Sequence, residues 1–342
     1  MIAAAALQRA LTWAPRAQAA APGPLSLLAA GPQGALISRW ADACARALGP
    51  VFPGGATLQT QPTGGLDGVT GANHFDALVV PDGATAGIFP GATLTAWLTG
   101  DSRVYYDPTH WVPVMAASNS GVLVSRPGAL GIATPQGPGA AGALKLAADD
   151  PQSSDLAALL ALQCLNVPVS PIFGLRDRDA KTRAFVAGEA DAVFLCGEGV
   201  PEDIAPLAAN GGVPVFSLGR MGDDGKIGPD PLFPALPEAM VYGAVGADAP
   251  LRAAYAAAAA AARLDFIVTL PRLTDPNTVS LWQQAACSAI ASTALQAAAD
   301  ASSVELRAAP GTAAELGTLV LAPADQAALR NFLRTRYGWR AS

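Results

Sequence analysis

Short apolar runs alternate with helical repeats along the chain, and this alternation predicts a layered α/β fold. Residues 25–29 are apolar, a glycine-containing turn follows at 30–34, and apolar side chains then recur at helical spacing up to a Gly-Pro pair at 49–50. Strand, glycine turn and helix in this order are typical of a parallel α/β layer. An apolar run at 143–147, followed by a leucine-rich helix at 155–165, repeats the order. We therefore expect two α/β lobes.

Between these units lies a central stretch at 105–127, YYDPTHWVPVMAASNSGVLVSRP, around which the rest of the chain is organised. Its Asp-Pro pair opens a turn, because the residue before a proline is pushed towards extended geometry. An apolar run at 111–117, a polar break at 118–121 and a β-rich run at 122–124 follow. Such β-branched residues favour a strand. We expect this stretch to run out of one lobe and into the other.

Three further predicted elements bear on the shape of the first lobe. Apolar residues at 76–80 predict a strand. The loop after it, at 81–85, is a candidate ligand site, because ligands sit beyond the carboxyl ends of parallel strands. One long helix is predicted at 280–299 and a final amphipathic helix at 323–340.

The composition is that of a folded, core-rich chain. Its 342 residues suffice for two domains of about 100–200 residues each. Hydrophobic residues make up 51% and charged residues 14%, which argues against a disordered chain. The longest apolar run, at 255–262, is too short to cross a bilayer, which takes about 20 residues. A net charge of −6, with 21 Lys and Arg and no basic cluster, argues against nucleic-acid binding.

The first 24 residues have features of a leader. They contain two arginines, no acidic residue and an A-x-A sequence at 17–19. Gln8 and Arg9 interrupt the apolar core that a secretory leader needs. Two interpretations stay open: a remnant of a signal peptide, and an N-terminal extension of the folded chain.

No motif for catalysis or for a cofactor stands out. Only His74 and His110 are present, and a lone histidine is more often structural than catalytic. The sequence has neither a G-x-S-x-G elbow nor a Walker loop. A G-x-G-x-x-G pattern occurs at 137–142, but its second residue is proline and no strand leads into it, so we reject a dinucleotide site. We expect no catalytic residue and no cofactor.

The cysteines lack the spacing of a metal site. Cys44, Cys164, Cys196 and Cys287 form no CxxC pair, so we expect no zinc or other metal. Buried thiols that act as small hydrophobic residues are the favoured interpretation. A bridge between Cys164 and Cys196 would require an oxidising compartment, and it stays open.

The central stretch resembles receptors of the tripartite tricarboxylate transporter family, the Bug-type (TctC-like) periplasmic solute-binding proteins. The family's YDP, F-P-V and V-L-V-V segments stand here at 106–108, 111–114 and 121–124. Flanking landmarks follow the family's order along nearly the whole chain, among them TGGLDG at 63–68 and GEADAVF at 188–194. The resemblance implies an α/β, two-lobed periplasmic-binding-protein fold, type II-like, with the ligand cleft between the lobes.

The same resemblance implies where one lobe ends and the other begins. The first lobe would comprise residues 25–125 and 243–342, and the second lobe residues 126–242. The hinge would then be formed near Ser125 and Tyr242.

The implied function is capture of a solute rather than catalysis. The chain would be an extracytoplasmic, periplasmic protein that binds a small molecule, a carboxylate by preference, for the membrane subunits of a tripartite tricarboxylate-type transporter. Loop amides and helix N-termini can hold a carboxylate without a formal positive charge. Two alternatives stay open: an α/β enzyme with an unrecognised site, and a degenerate family member that binds a partner protein.

The implied ligand contacts lie in loops at strand ends, on both lobes. In the first lobe they are Gly31, Gln33, Gly34, Ala35, Asp82, Gly83, Ala84 and Thr85, and in the second lobe Asp149, Ser153, Ser154, Ser170 and Cys196.

The chain departs from the family at two of these loops. Ala35 stands where the family usually has an aspartate, the natural partner of a ligand ammonium, and the family's lysine is missing at 170–174. Asp149, Asp150 and Glu198 would repel a dicarboxylate. The charge of the ligand therefore stays open. We expect the first lobe to contact an oxygen-bearing group of the ligand, and any cationic group to face these three acids.

Overall fold

The computed structural model describes residues 24–131, 142–242 and 249–339. The strands of this part of the chain are β1 (Leu25–Ala29), β2 (Leu58–Pro62), β3 (Thr85–Pro90), β4 (Val112–Ser118), β5 (Gly121–Ser125), β6 (Leu144–Ala147), β7 (Val169–Ile172), β8 (Ala192–Cys196), β9 (Val213–Ser217), β10 (Arg220–Met221), β11 (Ile227–Gly228), β12 (Leu264–Leu270) and β13 (Glu305–Ala308).

The α-helices of the same residues lie between these strands and after them. They are α1 (Leu36–Leu48), α2 (Val69–Leu78), α3 (Gly91–Thr99), α4 (Asp155–Cys164), α5 (Arg178–Val186), α6 (Val200–Ala209), α7 (Ala239–Tyr242), α8 (Ala249–Arg263), α9 (Pro276–Ile290), α10 (Thr293–Ser302), α11 (Ala309–Thr318) and α12 (Pro323–Tyr337).

The strands form two main sheets, as the two strand–turn–helix units predict. The first sheet has the order β13-β4-β12-β3-β1-β2, and the second has the order β7-β6-β8-β5-β9. In the first, β1 runs parallel to β2 and β3, whereas β12 runs antiparallel to both β3 and β4. In the second, β6 is parallel to β7 and β8, and β5 is antiparallel to β8 and β9. The mixed α/β architecture is therefore confirmed.

Helices cover both faces of each sheet, which explains why strands such as β5, β8 and β12 are mainly apolar rather than alternating. One face of the first sheet carries α1, α9 and α10, and the other carries α2, α3 and α11. The second sheet packs against α4, α8 and α12 on one face and against α5 and α6 on the other. Alanines of α8 also reach the core of the first sheet, so this helix joins the two.

The central stretch changes sheets, as expected, but earlier than expected. β4 belongs to the first sheet and β5 to the second, and only Asn119 and Ser120 lie between them. The chain therefore crosses before the expected boundary at Ser125, because β5 pairs with β8 and β9. The other expected hinge, near Tyr242, adjoins residues 243–248, which lie outside the described residues. Helix α12, expected in the first lobe, packs with α4 and α8 beside the second sheet.

Two predicted elements are wrong. Residues 76–78 end helix α2 and residues 79–80 follow it, instead of forming a strand, and Leu78 and Val80 are exposed. A helix is favoured over a strand here because Val69, Ala72 and Phe75 recur at helical spacing and bury one face of the helix. The single helix predicted at 280–299 is two helices, since the Ser292 hydroxyl accepts the Leu295 amide and starts α10.

Some predictions fall outside the described residues. These are the leader at 1–24, apart from Pro24, and the G-x-G-x-x-G pattern at 137–142, apart from Gly142. Within the described ranges, no helix is long and apolar enough to cross a membrane.

Candidate functional site

Each sheet turns one row of strand ends towards the other sheet, and we call this row its facing edge. At the facing edge of the first sheet, β1, β3 and β4 end and β12 and β13 begin. At the facing edge of the second sheet, β6, β7 and β8 end and β5 begins. Asn119, on the crossing segment, donates its backbone amide to the Arg263 carbonyl at 2.7 Å. Ligand sites in such folds lie where strand-end loops converge, and a cavity lies on each side of this crossing.

On one side of the crossing lies a small cavity against helix α1, which we name the α1-side cleft. Its volume is about 130 Å³. It is lined by Ala35, Leu36, Ile37, Trp40, Leu66, Pro90 and Asp265. The side chains come from the loop before α1, from α1 itself, from the ends of β3 and the start of β12, and from the loop before α2.

Helix α1 presents its N-terminus to this cleft. Ala35 is the N-cap residue, and the helix has no acidic residue in its first turn. The first amides of a helix have no acceptor within it, and they carry the positive end of the helix dipole. The Ser38 hydroxyl donates to the Pro32 carbonyl at 2.8 Å and holds the preceding loop in place. This end of the cleft therefore suits a carboxylate or another oxygen-bearing group.

Asp265 places a carboxylate in the same cavity. Its Oδ2 atom is buried and has no hydrogen-bond partner. Burial, and after it the nearby charge of Glu198, raise the pKa of Asp265 to about 7. The charge of Arg178 and the polar groups of Trp40 and Asn119 act in the opposite direction. The carboxylate thus lacks a counter-ion close enough to offset its loss of water.

The loop after β8, in the second sheet, contacts residues that pack on the first sheet. The indole Nε1 of Trp40 donates to the Glu198 carboxylate at 2.7 Å, and Arg39 lies 3.5 Å from the same group. The Gly199 amide donates to the Ser302 carbonyl, at the end of α10, at 3.1 Å. These contacts span the two sheets, so the loop after β8 moves with any change in their separation.

The same loop is braced from its own side by Arg178. The guanidinium donates to the Asp203 carboxylate, to the Cys196 carbonyl at 2.9 Å and to the Glu198 carbonyl. With all these partners within the second lobe, Arg178 serves to shape the loop. It is not free to neutralise Asp265.

The loop between β6 and α4 is built around a buried ion pair. Lys181 lies 2.6 Å from Asp155, and both side chains are buried. Asp155 also accepts the Asp149 amide at 2.8 Å and the Ser153 hydroxyl at 3.2 Å. Burial and the charges of Asp150 and Asp155 raise the pKa of Asp149. Ser154 is the residue before α4, but its side chain makes no capping hydrogen bond.

A second cavity lies on the other side of the crossing, beside β13, and we name it the β13-side cavity. Its volume is about 580 Å³. Its polar lining residues are Ser118, Asn119, Ser120, Arg220, Asp230, Arg263, Gln296, Asp300, Ser303, Glu305 and Glu315. Most of their charges are paired within the protein: Arg263 binds Glu315 at 3.0 Å, and Arg220 binds Glu305.

Solved structures share this arrangement of two sheets. A TctC solute binding protein from Polaromonas, without ligand, has a TM-score of 0.67 at 14% identity, covering 91% of this chain and 98% of its own. MatC from Rhodopseudomonas palustris, with bound malate, has a TM-score of 0.52 at 14% identity over 90% and 98%. Another R. palustris protein, with adipate, has 0.51 at 15% identity over 91% and 96%. The chain has the fold of solute-binding proteins. No protein-family model and no curated protein matches it.

In this fold, the predicted contacts from the loop before α1 reach the cleft region. Ala35 lines the cavity, and Gln33 and Gly34 are exposed beside it. Gly31 is buried, and a Cβ there would lie 2.4 Å from the Ile37 side chain, so the tight turn requires glycine. In the second lobe, Asp149, Ser153, Ser154 and Cys196 lie in or beside loops at the facing edge.

Two predicted groups lie elsewhere. Asp82, Gly83 and Ala84 precede β3 and Thr85 begins it, so these residues lie at the opposite edge of the first sheet instead of after a strand. There the Gly83 carbonyl accepts the indole of Trp282 at 3.0 Å. The misassigned strand at 76–80 caused this error. Ser170 lies within β7, opposite Lys145, instead of in a loop at the facing edge.

Sequence reasoning missed Asp265 and Trp40 as cleft residues. Asp265 sits in an apolar strand, LDFIVTL, where a single acid among hydrophobic residues was the available signal. Trp40 is one of the apolar side chains that recur at helical spacing in α1, and most of its ring is buried. Only the three-dimensional placement shows that its indole N–H points to Glu198 across the two sheets.

Cys196, the thiol at the facing edge of the second sheet, is not poised as a nucleophile. The Cys196 thiol lies 3.0 Å from the Ala262 carbonyl and 3.3 Å from Asn119 Oδ1, so the bridge to Cys164 is not formed. Burial raises the pKa of Cys196 to about 12, which is opposite to the shift of an activated thiol. Among the described residues, no cluster of His, Cys, Asp and Glu could hold a metal ion.

Proposed function

We propose that the chain is a periplasmic solute-binding protein that captures a small carboxylate between its two lobes and delivers it to a tripartite tricarboxylate-type transporter. The observation that carries the proposal is the N-terminus of α1 at the α1-side cleft, open to a ligand and without an acid in its first turn. Malate in one protein of the same fold and adipate in another support a carboxylate ligand.

The lobes would close on the solute by a hinge at the crossing segment. Asn119 and Ser120 are the only residues between β4 and β5, so a small change in their backbone would reorient one sheet against the other. The contacts of Glu198 with Trp40 and Arg39 would then form or break as the lobes move. Asp149 and Ser153, on the loop braced by Asp155, would approach the solute from the second lobe.

A thermal-shift screen followed by calorimetry tests the proposal. The probes are acetate, propionate, succinate, malate, glutarate, adipate and the corresponding amino acids. A specific ligand at a hundred times its Kd adds about 2.7 kcal/mol to the free energy of unfolding by mass action, and this raises the unfolding temperature. The absence of saturable binding by any member of the panel would overturn the proposal.

One observation favours a second candidate, a protein of this fold that binds a partner protein. The α1-side cleft encloses only about 130 Å³, less than the several hundred Å³ of most ligand pockets. The same screen separates the two functions, because a partner-binding protein would not be stabilised by any small acid or amino acid.

A further inference from the structure

We propose that Asp265 binds a cationic group, so that the solute of the α1-side cleft is a small carboxylate that also carries an amino group. The inference rests on the proposed function and narrows its substrate class. It assigns the selectivity to a residue on β12, outside the loop before α1.

The first argument is that one oxygen of the Asp265 carboxylate has no partner and that the group has no counter-ion, although Trp40 and Asn119 donate to it. Its Oδ2 atom is buried without a hydrogen-bond donor. None of the ion pairs within the described ranges includes this carboxylate, and Arg178, the cation that acts on it, is committed to Asp203 and to two carbonyl groups. An unpaired buried carboxylate is costly, and an ammonium group of a ligand would offset that cost.

The second argument is the position of Asp265 relative to Ala35. Both side chains line one cavity, so a carboxylate is present beside the N-terminus of α1 although the loop itself has alanine. The two features demand opposite charges: the helix N-terminus favours an anion, and Asp265 favours a cation. A ligand with both charges satisfies them together, whereas a dicarboxylate would meet Asp265 with a like charge.

The third argument concerns size and the second acid. At about 30 Å³ per water molecule, a cavity of about 130 Å³ holds a group of only a few heavy atoms. The amino and carboxylate groups of the ligand must therefore be close together. The charge of Glu198, which accepts from Trp40 and lies near Arg39, adds to the negative potential at Asp265. Asp265 itself is the acidic residue among those that line the cleft.

Matched pairs of probes test the inference, because each pair differs only by the amino group. We would measure Kd by calorimetry for alanine and β-alanine against propionate, for 4-aminobutyrate against butyrate, and for glutamate against glutarate. Ethylamine and butylamine form a third arm that lacks the carboxylate. We expect at least one amino acid to bind about 10- to 100-fold more tightly than its deamino partner, as an ion-paired hydrogen bond is typically worth.

Asp265→Asn, which keeps the size of the side chain, should remove this preference and leave the pair within about threefold of each other. Asp82→Asn is the matched control, since Asp82 lies at the opposite edge of the same sheet, and it should preserve the preference. Tighter or equal binding of the deamino acids by the unchanged protein overturns the inference but leaves the proposed function standing, and so does a preference that survives in Asp265→Asn. Binding of amines alone, or of no probe, would overturn the proposed function as well.

Discussion

The α1-side cleft and the β13-side cavity lie on opposite sides of the same crossing strands, and they differ in how their charges are paired. The larger cavity, of about 580 Å³, contains Arg263 bound to Glu315 through two hydrogen bonds of 3.0 and 3.1 Å. Its Asp230 accepts the Ser120 hydroxyl at 2.8 Å. The smaller cleft, of about 130 Å³, contains the unpaired carboxylate of Asp265.

The difference teaches that volume is a poor guide to a ligand site in this molecule. A cavity whose charges are paired holds its walls together without a ligand, and the pairing stabilises the fold. One hydroxyl in the larger cavity, Ser118, is buried without a partner, but a hydroxyl loses far less than a carboxylate when it leaves water. In the smaller cleft, a ligand could supply the partner that the carboxylate of Asp265 lacks.

Removing the pairing in the larger cavity should give the largest effect on stability. Glu315→Gln leaves the buried guanidinium of Arg263 without its counter-ion, and Arg307, 3.9 Å from Glu315, loses the same charge. Breaking a buried ion pair from one side typically costs about 3–5 kcal/mol. We expect a decrease of this size in the free energy of unfolding, measured by urea denaturation.

Lys226→Met is the control for that experiment, because the Lys226–Asp224 pair is exposed, with 84% and 62% of the two side chains accessible. Its loss should cost less than about 1 kcal/mol. Equal effects of the two variants would show that the β13-side cavity is not held together by its charges.

Removing the unpaired charge of the cleft should instead increase the free energy of unfolding. The pKa of Asp265 is about 7 in the fold and about 3.8 ordinarily, so between these values the folded chain binds more protons than the unfolded chain. Protonation of this group therefore stabilises the folded chain fully below about pH 4, and this stabilisation is lost as the pH rises to about 7. Asp265→Asn should be more stable than the unchanged protein by about 2–4 kcal/mol at pH 8.

The measurement is urea denaturation of both proteins at pH 4, 6 and 8. The groups that face Asp265 are Glu198, Arg178, Trp40 and Asn119, and all of them remain in the variant. Asp149 and Asp230, whose pKa values are also raised, titrate in both proteins and cancel in the difference. A stability difference that does not grow between pH 4 and pH 8 would show that Asp265 is not destabilised by its surroundings.

Adding a second acid to the cleft should weaken binding without harming the fold. Ala35→Asp places a carboxylate at the N-cap of α1, where it caps the helix and contributes about 0.5–2 kcal/mol to stability. The same charge opposes the carboxylate of a solute, and we expect its binding to weaken by about 1–3 kcal/mol. Calorimetry with the ligand found in the screen gives the value.

Ala35→Asn is the matched variant, since asparagine caps a helix equally well and adds no charge. It should gain stability and keep its affinity for the solute. If Ala35→Asp binds the solute as tightly as the unchanged protein, the loop before α1 does not hold the carboxylate.

Much of the fold was predictable because its strands and helices carry strong local signals. The strand at 25–29, helix α1 with its Gly-Pro end, and the unit from β6 to β7 lie where the pattern places them. The errors arose where apolar residues lack a clear period. The run at 76–80 spans the end of α2 and the two residues after it, and Leu78 and Val80 are exposed, so its hydrophobicity does not report burial.

The candidate site was less predictable, since it depends on which strand ends meet. The loop before α1 follows a strand that was identified correctly, and its Ala35 lines the cleft. Residues 82–85 were expected to follow a strand at 76–80. No strand forms there, and they lie at the far edge of the sheet. Asp265 is distant in sequence from every predicted contact, and only the antiparallel pairing of β12 with β3 brings it beside Ala35.

Filling the larger cavity should have the smallest effect on solute binding, and it is the direct test of the comparison. Leu232 lines the β13-side cavity and is 44% exposed, so Leu232→Trp can extend its ring into the cavity without displacing a buried side chain. If the solute binds in the α1-side cleft, its Kd should change by less than about twofold, or about 0.4 kcal/mol. Leu66→Trp, on the lining of the smaller cleft, is the matched variant, since Leu66 is 77% exposed and its enlargement obstructs that cleft instead.

Calorimetry with one ligand on both variants distinguishes the two cavities. Loss of binding in Leu232→Trp with binding retained in Leu66→Trp would place the solute among the paired charges, and would show that a solute can compete with them.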